Sequence, residues 1–327
     1  MKVLLVGCGE HATENLIPSL AQIPQIEVVA ASDPNASALR SAGRWFVGAD
    51  LYTSEKVALE RIYDVDAVVV AATPQVHYKF AKAALELGKP IFLEKPPTVT
   101  TGELRELSAK ANEASLVTCV GHNLRHTEAA IEFRDAVSSP AFGNPVAMEM
   151  RYFASKPRGK RWSLESALRS FLLSHANHAI DLMIYQMGPI RQVVAARAWP
   201  DVHGGIAITV QFIFESGAIG NLIATSYAPH FNVAASVLSN SGSVAEMHNL
   251  YDVRHTRRDM GKRHYQGWLP RTLETGYRFA GYQTELERFF IAIQNNRPED
   301  VHPSFSEEVA IYEAMDQIES SIVDSGD

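Results

Sequence analysis

The sequence predicts an α/β chain: a doubly wound parallel sheet at the N-terminus, then an α+β domain built on a large, mainly antiparallel sheet. Three observations predict it. Short continuous apolar runs alternate with helical patterns over the first third, as βαβ units do. A G-x-G-x-x-A spacing stands between the first apolar run and the first helical pattern. Beyond Gly121-His122-Asn123 the apolar residues recur instead with period two. A length of 327 residues fits about two domains, which read as 1–122 and 123–327, with the C-terminal helix able to pack back on the first.

The elements follow in order. Val3 to Val6 is a branched, apolar run suited to a strand buried on both faces. Ala12 to Gln22 carries Leu16, Ile17 and Leu20 at helical spacing and stops before Pro24. Ile26 to Ala31 is a second strand closing on the turn Asp33-Pro34-Asn35, and Val65 to Ala71 is a further one stopped at Thr73-Pro74. Phe80, Ala81, Ala84 and Leu85 mark a helix ending at Gly88, a C′ glycine. After a strand over Pro90 to Leu93, Thr100-Thr101-Gly102-Glu103 forms a capping box before Leu104, Leu107 and Ala111. Val117 to Val120 is one more strand. In the second part Ile206, Ile208, Val210, Phe212 and Phe214 share one face of a strand, and Ile219 to Tyr227 returns across Glu215-Ser216-Gly217. Helices are predicted over Leu168 to Met187, Thr284 to Gln294 and Glu307 to Ile322.

Composition excludes several classes. The chain is 46% hydrophobic, enough for a sizeable core and unlike a disordered or fibrous sequence. A net charge of −7 argues against a general nucleic-acid binder. No stretch approaches the ~20 apolar residues of a membrane span, and the opening Met1 to Val6 stops at Gly7, too short for a signal-peptide core. The two cysteines, Cys8 and Cys119, are no disulfide framework and fit a reducing, cytoplasmic setting.

Gly7-Cys8-Gly9-Glu10-His11-Ala12 lies between a buried strand and an amphipathic helix, the context that gives this weak pattern its meaning. Gly7 permits a tight turn, Gly9 lets a pyrophosphate approach the backbone, and Ala12 lets the helix pack on the strand. The helix start offers free N–H groups to the phosphates. Asp33 closes the second strand, where its carboxylate accepts from ribose hydroxyls and repels a 2′-phosphate. The expected cofactor is therefore NAD rather than NADP. Glu10 fits only if its carboxylate turns away from the phosphates.

Phe92-Leu93-Glu94-Lys95-Pro96-Pro97, preceded by Gly88-Lys89-Pro90, and Thr73-Pro74-Gln75-Val76-His77 carry a resemblance. With the glycine loop and Gly121-His122-Asn123-Leu124-Arg125, the chain resembles the glucose-fructose oxidoreductase / inositol dehydrogenase / MocA family over its whole length. The resemblance implies a Rossmann domain, a nicotinamide cofactor and hydride transfer, and leaves the substrate open. It implies that Thr73, Pro74, His77 and Asn123 line the cofactor cleft, that Glu94 lies near the nicotinamide ribose, and that Lys95 is catalytic. A lysine at the carboxyl end of such a strand can steady an alkoxide.

The same family presents D-x-x-x-H on a helix of its second domain, with the histidine as general base. Here the matching stretch is Ser174-His175-Ala176-Asn177-His178-Ala179-Ile180-Asp181. His178 takes the histidine's place, and Ser174 stands where the aspartate would be. A hydroxyl supplies no charge to orient an imidazole. Asp181, at i+3, is the alternative orienting group, and His175 an added polar contact or substitute base. A metal on His175, His178 and Asp181 is not expected, because the spacing lacks a further ligand.

Two basic clusters stand out in an acidic chain: Lys156, Arg158, Lys160 and Arg161, then Arg254, His255, Arg257, Arg258, Lys262, Arg263 and His264. Either they hold an anionic substrate or they are solvated loops and subunit contacts. Trp162, Tyr265 and Trp268 stand beside them. The expectation is an NAD(P)-dependent oxidoreductase acting on a hydroxyl or carbonyl of a sugar, cyclitol or related small metabolite. The alternatives are a redox-neutral NAD-dependent glycosidase and a non-catalytic NAD-binding regulator. The uncharged outward residues Ala207, Thr209 and Gln211 suit a homodimer or homotetramer formed through the second sheet.

Overall fold

The computed structural model describes residues 1–257, 261–266 and 280–323. It divides into two compact units, Met1–Asn123 with Thr272–Val309, and Leu124–Arg271 with Ala310–Asp327. The first holds a six-stranded sheet: β1 (Lys2–Val6), β2 (Glu27–Ser32), β3 (Asp50–Tyr52), β4 (Ala67–Val70), β5 (Ile91–Glu94) and β6 (Thr118–Gly121). All neighbours run parallel in the order β3-β2-β1-β4-β5-β6. The order reverses between β1 and β4, which opens the crevice where such sheets bind ligands. β4, β5 and β6 are buried throughout, the reason their sequences read as continuous apolar runs. β3 has only three residues and none is fully buried, so it carries no apolar pattern.

Local chemistry sets the helix ends. Thr100 Oγ1 accepts from the Glu103 N–H at 3.2 Å and Glu103 Oε2 accepts from the Thr100 N–H at 3.0 Å, completing the capping box. Gly88 takes φ +66° beyond the helix Pro74–Glu86. The first helix departs from the expected single α-helix. It opens as a π turn, Ala12–Leu16, before an α segment, Ile17–Leu20. Pro18 has no N–H to return to the preceding turn, and the Ser19 hydroxyl donates to the Asn15 carbonyl at 2.6 Å.

The helix Tyr282–Asn295 packs in the first unit, whereas the reading of 1–122 and 123–327 expected only the C-terminal helix to pack back on it. Its Leu286, Phe289, Phe290 and Ala292 join Val3, Leu5, Leu16, Ile17, Val69 and Phe92 in one core, and Phe289 meets Phe92 edge to face at 6.0 Å. Four apolar side chains on one helix face need an apolar partner, and this sheet supplies it. The last helix, Phe305–Val323, is shared between the two units.

The second unit is built on an eight-stranded sheet: β7 (Pro145–Phe153), β8 (Ile190–Pro200), β9 (Ile206–Phe214), β10 (Ile219–Thr225), β11 (Asn232–Ser239), β12 (Val244–His248), β13 (Asp252–Arg257) and β14 (Gly261–Gln266). Its order is β14-β13-β12-β11-β7-β10-β9-β8, antiparallel except where β10 runs parallel to β7. The alternation holds as predicted, with Ile206, Ile208, Val210, Phe212 and Phe214 buried on one face. The helices Glu128–Ser138 and Asn177–Met187 pack on this sheet. On the exposed side Val194, Trp199, Ile219, Ile223 and Leu238 keep large accessible areas.

His77 joins two strand-end loops in the first unit. Its Nε2 accepts from the Ala72 N–H at 2.8 Å, so Nδ1 carries the proton and donates to the Pro96 carbonyl at 2.8 Å. The ring is fully buried, and burial lowers its pKa from 6.5 to about 4. Both ring nitrogens are spent on backbone, beneath the surface. Between pH 4 and 6.5 the unfolded chain binds the proton and the folded chain does not. Stability from this residue is therefore complete above about 6.5 and falls with pH, by about 2 to 3 kcal/mol at pH ~4.5. Urea unfolding of wild type and His77→Gln at neutral and acid pH should show that much less acid loss in the variant; equal losses would contradict the clamp.

Candidate active site

The glycine loop is held from two sides. Gly7 takes φ +90°, and a Cβ there would stand 2.2 Å from the Ala71 carbonyl oxygen. The close approach is therefore to the exit of β4, and no side chain fits. The Gly7 N–H donates to Ser32 O at 2.8 Å and the Cys8 N–H to Asp33 Oδ2 at 2.7 Å. Asp33 Oδ1 accepts from the Asn35 N–H at 2.7 Å. Asp33 thus fastens the loop to the end of β2 while its half-buried carboxylate stays at the crevice. The Cys8 thiol is buried, and burial with the Asp33 charge pushes its pKa up to about 12, so it stays a thiol. A Cβ on Gly9 would meet nothing within 4 Å, which is the open cradle a pyrophosphate needs. Ala12 is buried, and Glu10 and His11 are exposed, so the Glu10 carboxylate turns to solvent.

Across the crevice, Thr73 is exposed at the helix N-cap and Pro74 is buried in its first turn. Glu94 ends β5 with 4% exposure. Its Oε2 accepts from the Lys95 N–H at 3.1 Å, and its Oε1 lies 3.2 Å from His11 Nε2. Burial alone would raise the Glu94 pKa; His11, then Lys95, hold it below the usual range. Gly121 on β6 makes the room, since a Cβ there would come within 3.0 Å of Oε1. Lys95 follows, half-buried, joined to Pro96 by a cis peptide. Asn123 is buried, and its amide donates to the Ala280 carbonyl at 2.7 Å, tying β6's exit to the returning segment. Beside it His122 Nε2 and Glu308 Oε2 meet at 2.9 Å, both fully buried.

In the second unit the predicted helix over 168–187 is interrupted. An α turn, Ala167–Phe171, passes into a π turn, Leu172–Ala176, and then the helix Asn177–Met187. Ser174 Oγ donates to Ser170 O at 2.6 Å and Asn177 Nδ2 to Leu173 O at 2.7 Å, so side chains take carbonyls that a regular helix would use. His178 is 6% exposed and stacks on Tyr152 of β7, with ring centres 6.4 Å apart and planes 23° apart. His175 is half-buried. Both carboxylate oxygens of Asp181 accept from Arg125, at 3.1 Å from Nε and also from Nη2, with the pair buried. Among the described residues no group of His, Cys, Asp and Glu could hold a metal.

Three residues of this region escaped the sequence reading of the site: Arg125, Tyr152 and Asn177. Tyr152 lies in a period-two series with Met148 and Met150, a signal that marked its face but not its ring partner. In the basic clusters, Lys156 and Arg158 are exposed, Lys160 meets Glu165 at 3.2 Å, and Arg161 lies over the Trp162 ring at 5.7 Å. Arg254 and His264 both pair with Asp252 at 2.8 Å, and the Tyr265 hydroxyl donates to Glu128. The side chain of Arg257, and Arg258 and Trp268 entirely, lie outside the described residues.

Residues 1–122 match the model of the oxidoreductase family with an NAD-binding Rossmann fold, and residues 131–245 match the GFO/IDH/MocA C-terminal domain. The chain is 26% identical over 68% of its length to 4-carboxy-2-hydroxymuconate-6-semialdehyde dehydrogenase of Sphingobium, covering 71% of that protein. It is 24% identical over 91% of its length to inositol 2-dehydrogenase of Acidothermus cellulolyticus, covering 86% of that protein. A dehydrogenase structure from Chromobacterium violaceum superposes with a TM-score of 0.90 at 30% identity, covering 99% of this chain and 96% of that one. The glycine loop, the acid at the end of β2 and these matches agree: the chain belongs to the GFO/IDH/MocA family of NAD-dependent oxidoreductases.

Proposed function

We propose that this chain is a dehydrogenase that oxidises a hydroxyl of a small polyhydroxylated metabolite, and reduces the carbonyl in reverse, with Lys95 and His178 as its catalytic residues. The observation that carries the reading is the half-buried Lys95 at the carboxyl end of β5, in the same sheet whose β1 exit forms the open Gly9 cradle. Bound NAD supplies the hydride acceptor. Asp33 would hold the adenosine ribose, the loop Gly7 to Ala12 the pyrophosphate, and Thr73, Pro74 and Glu94 the nicotinamide half.

Lys95 donates to the reacting oxygen and steadies negative charge on it as the carbon–hydrogen bond breaks. His178 takes the hydroxyl proton and returns it in the reduction. Tyr152 fixes the plane of that imidazole by stacking. Ser174 gives the imidazole no charged support, and its hydroxyl is already donated to Ser170. His178 therefore works as a base without a carboxylate from that position, and His175 is the supporting polar group on the same turn.

The exposed Lys156 and Arg158 follow the strand that carries Tyr152, and we assign them to a carboxylate or other anion on the substrate. The Sphingobium relative, whose name specifies a carboxylated aldehyde, supports that class. The apolar outer side of the second sheet, with Trp199, Ile219 and Ile223 exposed, suits a second copy of the chain. The buried Cys8 and Cys119, which are not joined in a disulfide, suit a reducing, cytoplasmic compartment.

A panel of polyols, sugars and hydroxy acids, followed by the absorbance of reduced cofactor, identifies the substrate. With it, Lys95→Ala and His178→Ala should each lower kcat by about 100-fold or more. Their NADH affinity, read by fluorescence titration, should stay within about threefold of wild type. Undiminished turnover in Lys95→Ala would overturn the assignment.

A further inference from the structure

We propose that His11 is a latch on the cofactor site: its imidazole covers the Glu94 oxygen that a ribose hydroxyl of the dinucleotide takes up, and the cofactor binds by displacing it. The inference rests on the placement of Glu94 under the nicotinamide half proposed above. Glu94 is 4% exposed, and one of its oxygens, Oε2, is satisfied by the Lys95 N–H. The other, Oε1, is fully buried and lacks an aligned hydrogen bond, although His11 Nε2 stands 3.2 Å away. The distance is that of an ion pair, but the N–H is not aimed along it. A buried carboxylate oxygen without an aligned donor is costly and accepts readily from a better one.

Position explains what that donor is. In the order β1-β4-β5 the His11–Glu94 contact passes over the exit of β4. Glu94 would meet the second ribose of a dinucleotide held by Asp33 and the glycine loop along that line. Gly121 makes room for Oε1 on β6, where a Cβ would come to 3.0 Å, and His11 is the side chain facing Oε1 that can yield. It can yield at low cost, because its side chain is 46% exposed. Asn15 Nδ2 lies 3.4 Å from its Nδ1, which leaves Nε2 as the protonated nitrogen facing Glu94, and Tyr282 meets the ring edge at 5.5 Å. The remaining charges about the pair are Lys95 beside Glu94 and the exposed Glu10 next to His11; His77 is neutral.

NADH fluorescence titrations of wild type, His11→Ala, Glu94→Gln and the double variant test this, with thermal melts confirming that each is folded. With this pair of one exposed and one buried group removed, His11→Ala should bind about three- to tenfold more tightly than wild type. In the Glu94→Gln background the same substitution should change affinity little, because the contact it releases is already weakened. Weaker binding in His11→Ala would overturn the latch and make His11 a direct cofactor ligand. Equal tightening in both backgrounds would overturn it as well. Failure of the wild-type chain to bind NADH would instead remove the nicotinamide placement on which it rests.

Discussion

The contact between Gly7 and the Ala71 carbonyl is the constraint on which the rest of the first unit's site depends. At φ +90° and with only 2.2 Å available to a Cβ, position 7 admits glycine alone. That approach brings the loop after β1 against the exit of β4, across the point where the strand order reverses. With the two exits so close, Gly9 is left facing open space and Asp33 can reach the Cys8 N–H. Strand placement thus sets an open backbone cradle and the Asp33 carboxylate side by side at the crevice.

Beneath the strand ends, the buried polar groups are matched in different ways in the two units. In the first, His77 is neutral and bonded at both nitrogens, while Glu94 stays ionised beside His11 and Lys95. One group positions the Pro96 loop without charge, and the other keeps a charge at the crevice. In the second unit, Arg125 and Asp181 form a buried fork, and removing either would strand a charge. The His178 helix is therefore anchored by Asp181 three residues on and entered through a π turn, a distortion common at functional sites.

Local features were legible in the sequence and long-range pairings were not. The capping box at Thr100 and the C′ glycine at Gly88 involve neighbours, and spacing alone reveals them. Period-two apolar residues announced β9 because one of its faces is buried. By contrast, the Pro96 carbonyl lies 19 residues from His77, and Asp181 lies 56 from Arg125. Residue type shows that such groups need partners, but not which partners the fold supplies. The helix Tyr282–Asn295 makes the same point at larger scale: its amphipathic face was readable, the sheet it covers was not. The residue types at Lys95 and His178 marked the candidate site, while Tyr152 became visible only through ring stacking.

The central claim is that the glycine loop and Asp33 form a site for NAD in particular. Calorimetric titration of the intact chain with NAD⁺ and with NADP⁺ tests it most directly. One NAD⁺ per chain should bind, at least about tenfold more tightly than NADP⁺, because the Asp33 carboxylate accepts from a ribose hydroxyl and repels a 2′-phosphate. Equal or tighter binding of NADP⁺, or binding of neither, would contradict the account.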